Sequence, residues 1–138
     1  MSSLTDADYS ALGDFRYQIR RFLHFSEEAA LAAGLEPQQH QLMLGIRALD
    51  GPEGPTVGRL AEFLMIRHHS AVGLIDRLAH GGLVERIPSN GDRRQVRVAL
   101  TPAGAEKLEG LAAAHHAELS QSGPALVETL GTLLRRNL

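Results

Sequence analysis

Apolar residues in the N-terminal part of the chain recur at steps of three and four, which places them on one face of an α-helix. The first stripe consists of Leu12, Phe15, Ile19, Phe22 and Leu23. Alanines extend this stripe to Gly34, where we expect the helix to end. Pro37 suits the first turn of a second helix, and the breaker cluster Gly51–Pro55 predicts a loop after it.

Two shorter amphipathic patterns follow that loop. The first is marked by Val57, Leu60, Ala61 and Leu64, and the second by Ala71, Leu74, Ile75 and Leu78. Only a few residues, from Ile66 to His68, separate the two patterns, which is the spacing of a helix-turn-helix. Gly81-Gly82 supplies a left-handed stop for the second helix.

A β-hairpin is predicted directly after the helix-turn-helix. Leu83–Ile87 has the composition of a strand, and Gln95–Leu100 alternates polar and apolar residues as a half-buried strand does. Asn90-Gly91 between them is a turn signal. A hairpin at this place is a wing, and Thr101-Pro102 then supplies the N-cap and first residue of another helix. We therefore predict a mainly α fold with a small β-hairpin wing, a winged helix-turn-helix.

The helical segments at both ends of the chain present a packing problem. Two leucine stripes follow Pro102, and Gly123-Pro124 predicts a break between them. A small winged-helix body cannot cover these stripes as well as the first helix, and apolar stripes left in water are costly. We expect residues 1–36 and 102–138 to be dimerisation helices and 37–101 to be the winged lobe of a single domain, 1–138. The alternative is that the terminal helices fold back on their own domain.

The net charge of −2 hides an uneven distribution. Between Thr56 and Arg97 seven arginines stand against four acids, whereas the remainder holds seven basic and twelve acidic residues. Thirteen of the fourteen basic residues are arginine, which suits phosphate and guanine-edge geometry. A basic middle in an acidic frame indicates one region that meets a polyanion, double-stranded DNA being the natural candidate.

Composition excludes several other classes. The absence of cysteine rules out disulfides, thiolate zinc sites and thiol-based oxidant sensing. No apolar run approaches the ~20 residues that a membrane span requires, and the polar N-terminus does not resemble a secretory signal. We therefore expect a cytoplasmic protein that has no membrane partner.

Neither a metal nor a catalytic site is predicted. Adjacent histidines on a helix point about 100° apart, so neither His68-His69 nor His115-His116 forms a ligand pair by itself. A site assembled in three dimensions from His40, His115 or His116 stays open as an alternative. Phosphate-cradling loops, nucleophile elbows and close acid pairs are missing from the sequence, so we expect neither an enzyme nor a cofactor.

The second helix of a helix-turn-helix enters the major groove with its N-terminal half, which fixes the candidate DNA contacts. These are His68, His69, Ser70, Val72, Gly73 and Arg77. The first three would donate to phosphates or base edges, Val72 would touch a thymine methyl group, and Gly73 would let the backbone approach the groove. Arg77 is expected to bind phosphate, whereas Asp76 is expected to hold an arginine. The histidines could instead be solvated turn residues.

Candidates for binding a small aromatic or anionic effector are weaker. Arg16 and Arg20 on the first helix, with His24 and His40 near the junction of the first two helices, could anchor an anionic ligand. Salt bridges of a dimer, or plain surface, would explain the arginines equally well.

The ordered set of motifs resembles the MarR family of bacterial regulators over nearly the whole chain. The fragments that carry the resemblance are Leu60-Ala61-Glu62, Asp76-Arg77-Leu78, Gly82-Leu83-Val84, Asp92-Arg93-Arg94 and Leu100–Gly104. The resemblance implies a homodimeric transcriptional regulator, expected to be a repressor, whose terminal helices interlock and whose two lobes read a palindrome. It also implies release by small, often aromatic or phenolic, ligands.

The resemblance also assigns the wing. Arg94 matches the family's wing arginine, which at a hairpin tip can enter the narrow minor groove. Asp92 would brace the guanidinium of Arg94, and Arg93 would contact phosphate.

Four positions depart from the family pattern. An additional Asp-x-Arg is often found where this chain has Ser89 and Gly91. Arg67 stands at the usual polar cap of the recognition helix, and Gly73 stands where a base-reading residue is common. The last two departures motivate the alternative hypothesis, a winged-helix interaction module that binds a protein and not DNA.

Overall fold

The computed structural model describes residues 3–49, 51, 54–88 and 96–135. In this part the chain forms five helices and a two-stranded antiparallel sheet. In chain order the elements are α1 (Asp6–Ala32), α2 (Pro37–Ala48), α3 (Val57–Leu64), α4 (His68–His80), β1 (Val84–Ile87), β2 (Arg97–Leu100) and α5 (Pro102–Arg135). The predicted fold class, mainly α with a small hairpin, is confirmed.

The contacts divide the chain into two compact units. The helical unit comprises the described residues up to Ala29 together with those from Ala112 onward, and the winged unit comprises Ala30–Leu111. The functional division into dimerisation helices (1–36 and 102–138) and a lobe (37–101) stays a prediction.

The winged unit contains the apolar core. Its buried side chains include Leu42, Met43, Ile46, Leu60, Ala71, Leu74, Ile75, Leu78, Val84, Val98 and Leu108. The four apolar positions predicted to face inward from α4 are all buried. Thr56 caps α3, since its hydroxyl oxygen accepts the N–H of Arg59 at 3.2 Å. Gly82, at φ 76°, ends the helical path after α4 as the sequence indicates.

The base of the hairpin is attached to the loop that precedes α3. Strands β1 and β2 pair in the register Val84↔Leu100 to Ile87↔Arg97. The guanidinium of Arg97 donates to the carbonyl oxygen of Gly54 at 2.8 Å, and the N–H of Val98 donates to Pro55 at 3.0 Å. These bonds fix the direction in which the hairpin leaves the core. The predicted turn at Asn90-Gly91 lies outside the described residues.

Polar contacts connect the two helices of the helical unit. The amide of Gln18 donates to Asp14 at 2.8 Å and to Thr129 at 3.0 Å, and the Thr129 hydroxyl donates to Asp14 at 2.8 Å. His115 is hydrogen-bonded to Ser26 at 2.8 Å. Two described residues of this unit are buried, Ser26 and Thr129, and both are polar. The described part of the helical unit therefore has no apolar core of its own.

The predicted break at Gly123-Pro124 is wrong, because α5 runs without interruption from Pro102 to Arg135. A proline in a helix removes one backbone donor, and its ring collides with the carbonyl of the residue four positions earlier. It also disfavours helical geometry in the preceding residue by collision with that residue's N–H and Cβ. The preceding residue here is Gly123, which has no Cβ. Gly123 relieves one of these costs, and the helix continues through the Gly-Pro pair although each residue alone signals a break.

Candidate nucleic-acid interface

Helix α4 begins with exposed polar side chains. His68, His69 and Ser70 are exposed in its first turn, as predicted for groups that meet a ligand in solution. The N-cap is Arg67, whose side chain makes no capping hydrogen bond. Amide groups at an uncapped helix N-terminus attract anions, so this end of α4 suits a phosphate.

The outward face of α4 lies opposite the buried residues, as helical geometry requires. Asp76 and Arg77 are exposed on it, whereas Val72 and Gly73 are half-buried. Each of these residues was predicted for the interface or its margin. The structure therefore brings the helix-borne candidates together on one surface.

Asp76 holds an arginine, as the sequence predicted, and the structure identifies the arginine as Arg86. The two side chains form an ion pair with Nη2–Oδ1 at 2.5 Å. Arg86 lies on β1, so this pair connects the base of the hairpin to α4. Charge-assisted bonds of this kind restrict both partners, although exposed pairs contribute little to folding.

Arg77 is paired with Glu36, a contact that the sequence did not predict. The Arg77 Nε donates to Glu36 Oε2 at 3.0 Å. The guanidinium also lies close to Gly73, because a Cβ added there would stand 3.5 Å from Arg77 Nη1. Glu36 and Arg77 are 41 positions apart, so periodicity offers no signal for the pair.

The predicted wing residues Asp92, Arg93 and Arg94 lie outside the described residues. Their roles stay predictions. The described base of the hairpin, held by Gly54, Pro55 and Arg97, is the part that the structure adds.

The effector candidates are distributed over both units. Arg20 and His24 line a cavity of about 370 Å³ in the helical unit, together with Tyr17, Arg21, Phe25, Glu28 and Glu118. His24 also contacts Glu28 at 3.0 Å. Arg16 is exposed on the same helix but does not line this cavity, and His40 is buried in the winged unit with an exposure of 4%.

The described ranges contain neither a metal-binding cluster nor a membrane-spanning helix. No group of three or more His, Asp or Glu side chains there is arranged to hold a metal ion. None of the helices found there has the length and apolar character that crossing a membrane requires.

A helix-turn-helix followed directly by a hairpin attached to its base defines a winged helix-turn-helix protein. Residues 33–95 match the model of the MarR family. The segment of the chain from residue 33 to residue 95 belongs to the MarR family.

A curated relative is the transcriptional activatory protein BadR of Rhodopseudomonas palustris, 34% identical over 97 residues, which cover 70% of this chain and 55% of BadR. The chain spans about half the length of the curated relatives it matches. Those relatives are transcriptional regulators, not enzymes.

Solved structures match over nearly the whole chain. AbsC of Streptomyces coelicolor, a MarR family transcriptional regulator, has a TM-score of 0.77 at 23% identity, covering 99% of this chain and 93% of its own. CouR of Rhodococcus jostii bound to p-coumaroyl-CoA has a TM-score of 0.74 at 21% identity, covering 96% and 92%. A point mutant of S. aureus MepR bound to an oligodeoxyribonucleotide has a TM-score of 0.66 at 19% identity, covering 95% and 99%. These likenesses establish the fold.

Proposed function

We propose that this protein is a sequence-specific DNA-binding transcriptional regulator that binds a palindromic operator as a homodimer. The observation that carries the proposal is the outward face of α4, which presents exposed polar groups and is joined to the hairpin by the ion pair between Asp76 and Arg86. A point mutant of MepR, a protein of the same fold, has a solved structure bound to an oligodeoxyribonucleotide. Helix α4 is then the recognition helix.

In this proposal the contacts divide by chemistry. His68, His69 and Ser70 donate to phosphates or base edges from the N-terminus of α4, and Val72 contacts a thymine methyl group. Arg77 contributes a cation further along the same face. Arg94 enters the minor groove from the wing, braced by Asp92, and Arg93 binds phosphate.

The helical unit supports dimerisation. It carries most of the exposed large apolar side chains of the described chain, among them Leu4, Tyr9, Leu12, Tyr17, Leu23, Leu119, Val127, Leu130 and Leu134. Covering such a surface with a second copy of the same surface gives a closed twofold dimer. A twofold dimer presents two recognition helices, which is the reason for expecting a palindrome.

We propose repression, with release by a small aromatic or anionic effector, as the mode of regulation. The cavity beside Arg20 and His24 is lined by two arginines and two aromatic rings as well as by the carboxylates of Glu28 and Glu118. An aromatic ligand would stack on the rings, and its anionic group would bind an arginine. CouR was crystallised with p-coumaroyl-CoA, an aromatic acyl thioester. The name of BadR as an activatory protein marks activation as the alternative outcome.

The test measures the affinity of the protein for the DNA upstream of its own gene by electrophoretic mobility shift. The wild-type protein is compared with three variants of the wing. Arg94→Ala should lower affinity by about 1–3 kcal/mol, roughly ten- to a hundredfold, because it removes a groove contact. Arg93→Ala should cost less, and about equally for every DNA sequence, because it removes one of several phosphate contacts and no base recognition. Asp92→Ala should also weaken binding, because Arg94 loses its brace.

Simple electrostatics predicts the opposite sign for Asp92→Ala, since that variant removes a negative charge near the DNA. Tighter binding by Asp92→Ala, with Arg94→Ala near wild type, would contradict the wing assignment. If wild-type protein shifts no duplex fragment, the second function class is favoured, a winged-helix module that binds a protein partner.

A further inference from the structure

The recognition helix carries an arginine that lies across a glycine and is held by an acid from another helix. We propose that Glu36 is a positioning residue for DNA recognition, which fixes the Arg77 guanidinium over Gly73 so that its charge meets the DNA at one defined place. This inference rests on the proposed function, because it requires α4 to enter DNA.

Both ends of the ion pair are anchored. Glu36 is the N-cap of α2, with extended backbone at φ −69° and ψ 148°, and its N–H donates to Gln39 Oε1 at 2.8 Å. Arg77 lies on α4, which is fixed by the burial of Leu74 and Leu78 on its inner face. Because the backbone is fixed at both positions, the 3.0 Å contact between Nε and Oε2 determines where the guanidinium lies.

Gly73 provides the space that the guanidinium occupies. Long side chains on a helix lean toward its N-terminus, so a residue covers the turn before its own. Arg77 covers Gly73 in this way, and Nη1 lies 3.5 Å from the position of an added Cβ. A methyl group would fit at that distance, whereas a longer side chain would compete with the guanidinium.

The ion pair between Glu36 and Arg77 contributes little to folding, so a role in DNA binding can be distinguished from a role in stability. Both side chains are about half exposed (54% each), and exposed ion pairs contribute little to stability. As a plain negative charge beside a recognition helix, Glu36 would repel phosphates and weaken DNA binding. As a positioning residue it strengthens binding despite its charge.

The experiment measures binding of the full chain to a duplex selected by the wild-type protein from a random-sequence library. Glu36→Gln should weaken binding about five- to tenfold, within the coupling seen for contacting residues. In an Arg77→Gln background the same substitution should cause no additional loss. Glu62→Gln is the matched control, since Glu62 is an exposed acid on α3 of the same unit, and it should bind as wild type or slightly tighter.

Gly73 gives an independent arm of the test. Gly73→Ala should bind within about twofold of wild type, whereas Gly73→Leu should lose about tenfold because its side chain displaces the guanidinium. In the Arg77→Gln background Gly73→Leu should cost little more, whereas a direct clash of the leucine with DNA would cost the same in both backgrounds. Unfolding midpoints of all variants serve as the folding check.

Equal or tighter binding by Glu36→Gln overturns the inference, as does an equal loss in the Arg77→Gln background or wild-type affinity for Gly73→Leu. A wild-type protein that selects no duplex from the library instead overturns the proposed function itself.

Discussion

Two glycines of α5, Gly104 and Gly110, look alike in the sequence but have different surroundings in the structure. Gly104, in the first turn of α5, lies so close to Leu83 that an added Cβ would collide with the carbonyl oxygen of that residue. The same turn is fixed by Thr101, whose hydroxyl donates to Gly82 at 2.7 Å and accepts the N–H of Gly104 at 3.1 Å. Gly110, further along the same helix, has open space at its Cβ position.

Gly104→Ala should therefore destabilise the protein by about 1–3 kcal/mol, because overpacking forces the α5 turn away from Leu83. Gly110→Ala, the matched control, should stabilise it by about 0.5–1 kcal/mol through higher helix propensity. Urea unfolding of the two variants checks both signs. Equal effects of the two substitutions would contradict the close approach at Gly104.

At the scale of elements, hydrophobic periodicity predicted the helices and the hairpin to within a few residues. It failed at Gly123-Pro124, where the helix continues although both residues signal a break, and the missing Cβ of Gly123 relieves only part of the cost of Pro124. It also missed the pair Glu36–Arg77, which depends on how α2 packs against α4 and leaves no trace in local spacing. Asp76 was correctly expected to hold an arginine, but only the fold identifies Arg86 as its partner.

Continuity of α5 can be tested by restoring the missing backbone donor. Pro124→Ala should raise the free energy of unfolding by up to about 3 kcal/mol, because proline is that much less favourable than alanine inside a helix. Pro102→Ala is the control, since a proline in the first turn removes a donor that the helix does not use. Thermal unfolding followed by circular dichroism gives the answer. A clear gain of helical signal in Pro124→Ala would contradict an uninterrupted helix, because it would show that the wild-type helix is broken at that position.

At the scale of the whole molecule, the two units differ in how they are stabilised. The winged unit has a buried apolar core, whereas the described helical unit buries two polar side chains and exposes many apolar ones. Burial of these exposed apolar side chains against a partner would stabilise the helical unit, because removing apolar surface from water is favourable in free energy. We therefore expect a second copy of the chain to cover the helical unit.

Light scattering should give about twice the chain mass of 14.9 kDa. Removing the residues after Gly123 should disrupt the dimer, and Val127→Asp should do so with less damage to the protomer, since Val127 is 69% exposed. Met65→Asp, at a 93% exposed position of the winged unit, should stay dimeric. A folded wild-type monomer at all concentrations would contradict the dimer and, with it, the palindromic operator.

The central claim, that the outward face of α4 and the wing bind the DNA backbone, is tested most directly by the salt dependence of duplex binding. Each phosphate contacted by a cation releases counterions, so the log–log plot of affinity against salt should fall with a slope of several negative units per dimer. Fluorescence anisotropy with the wild-type protein and the DNA upstream of its own gene measures this slope. A steep negative slope is the predicted result, and binding that is insensitive to salt, or absent for every duplex, would contradict the account.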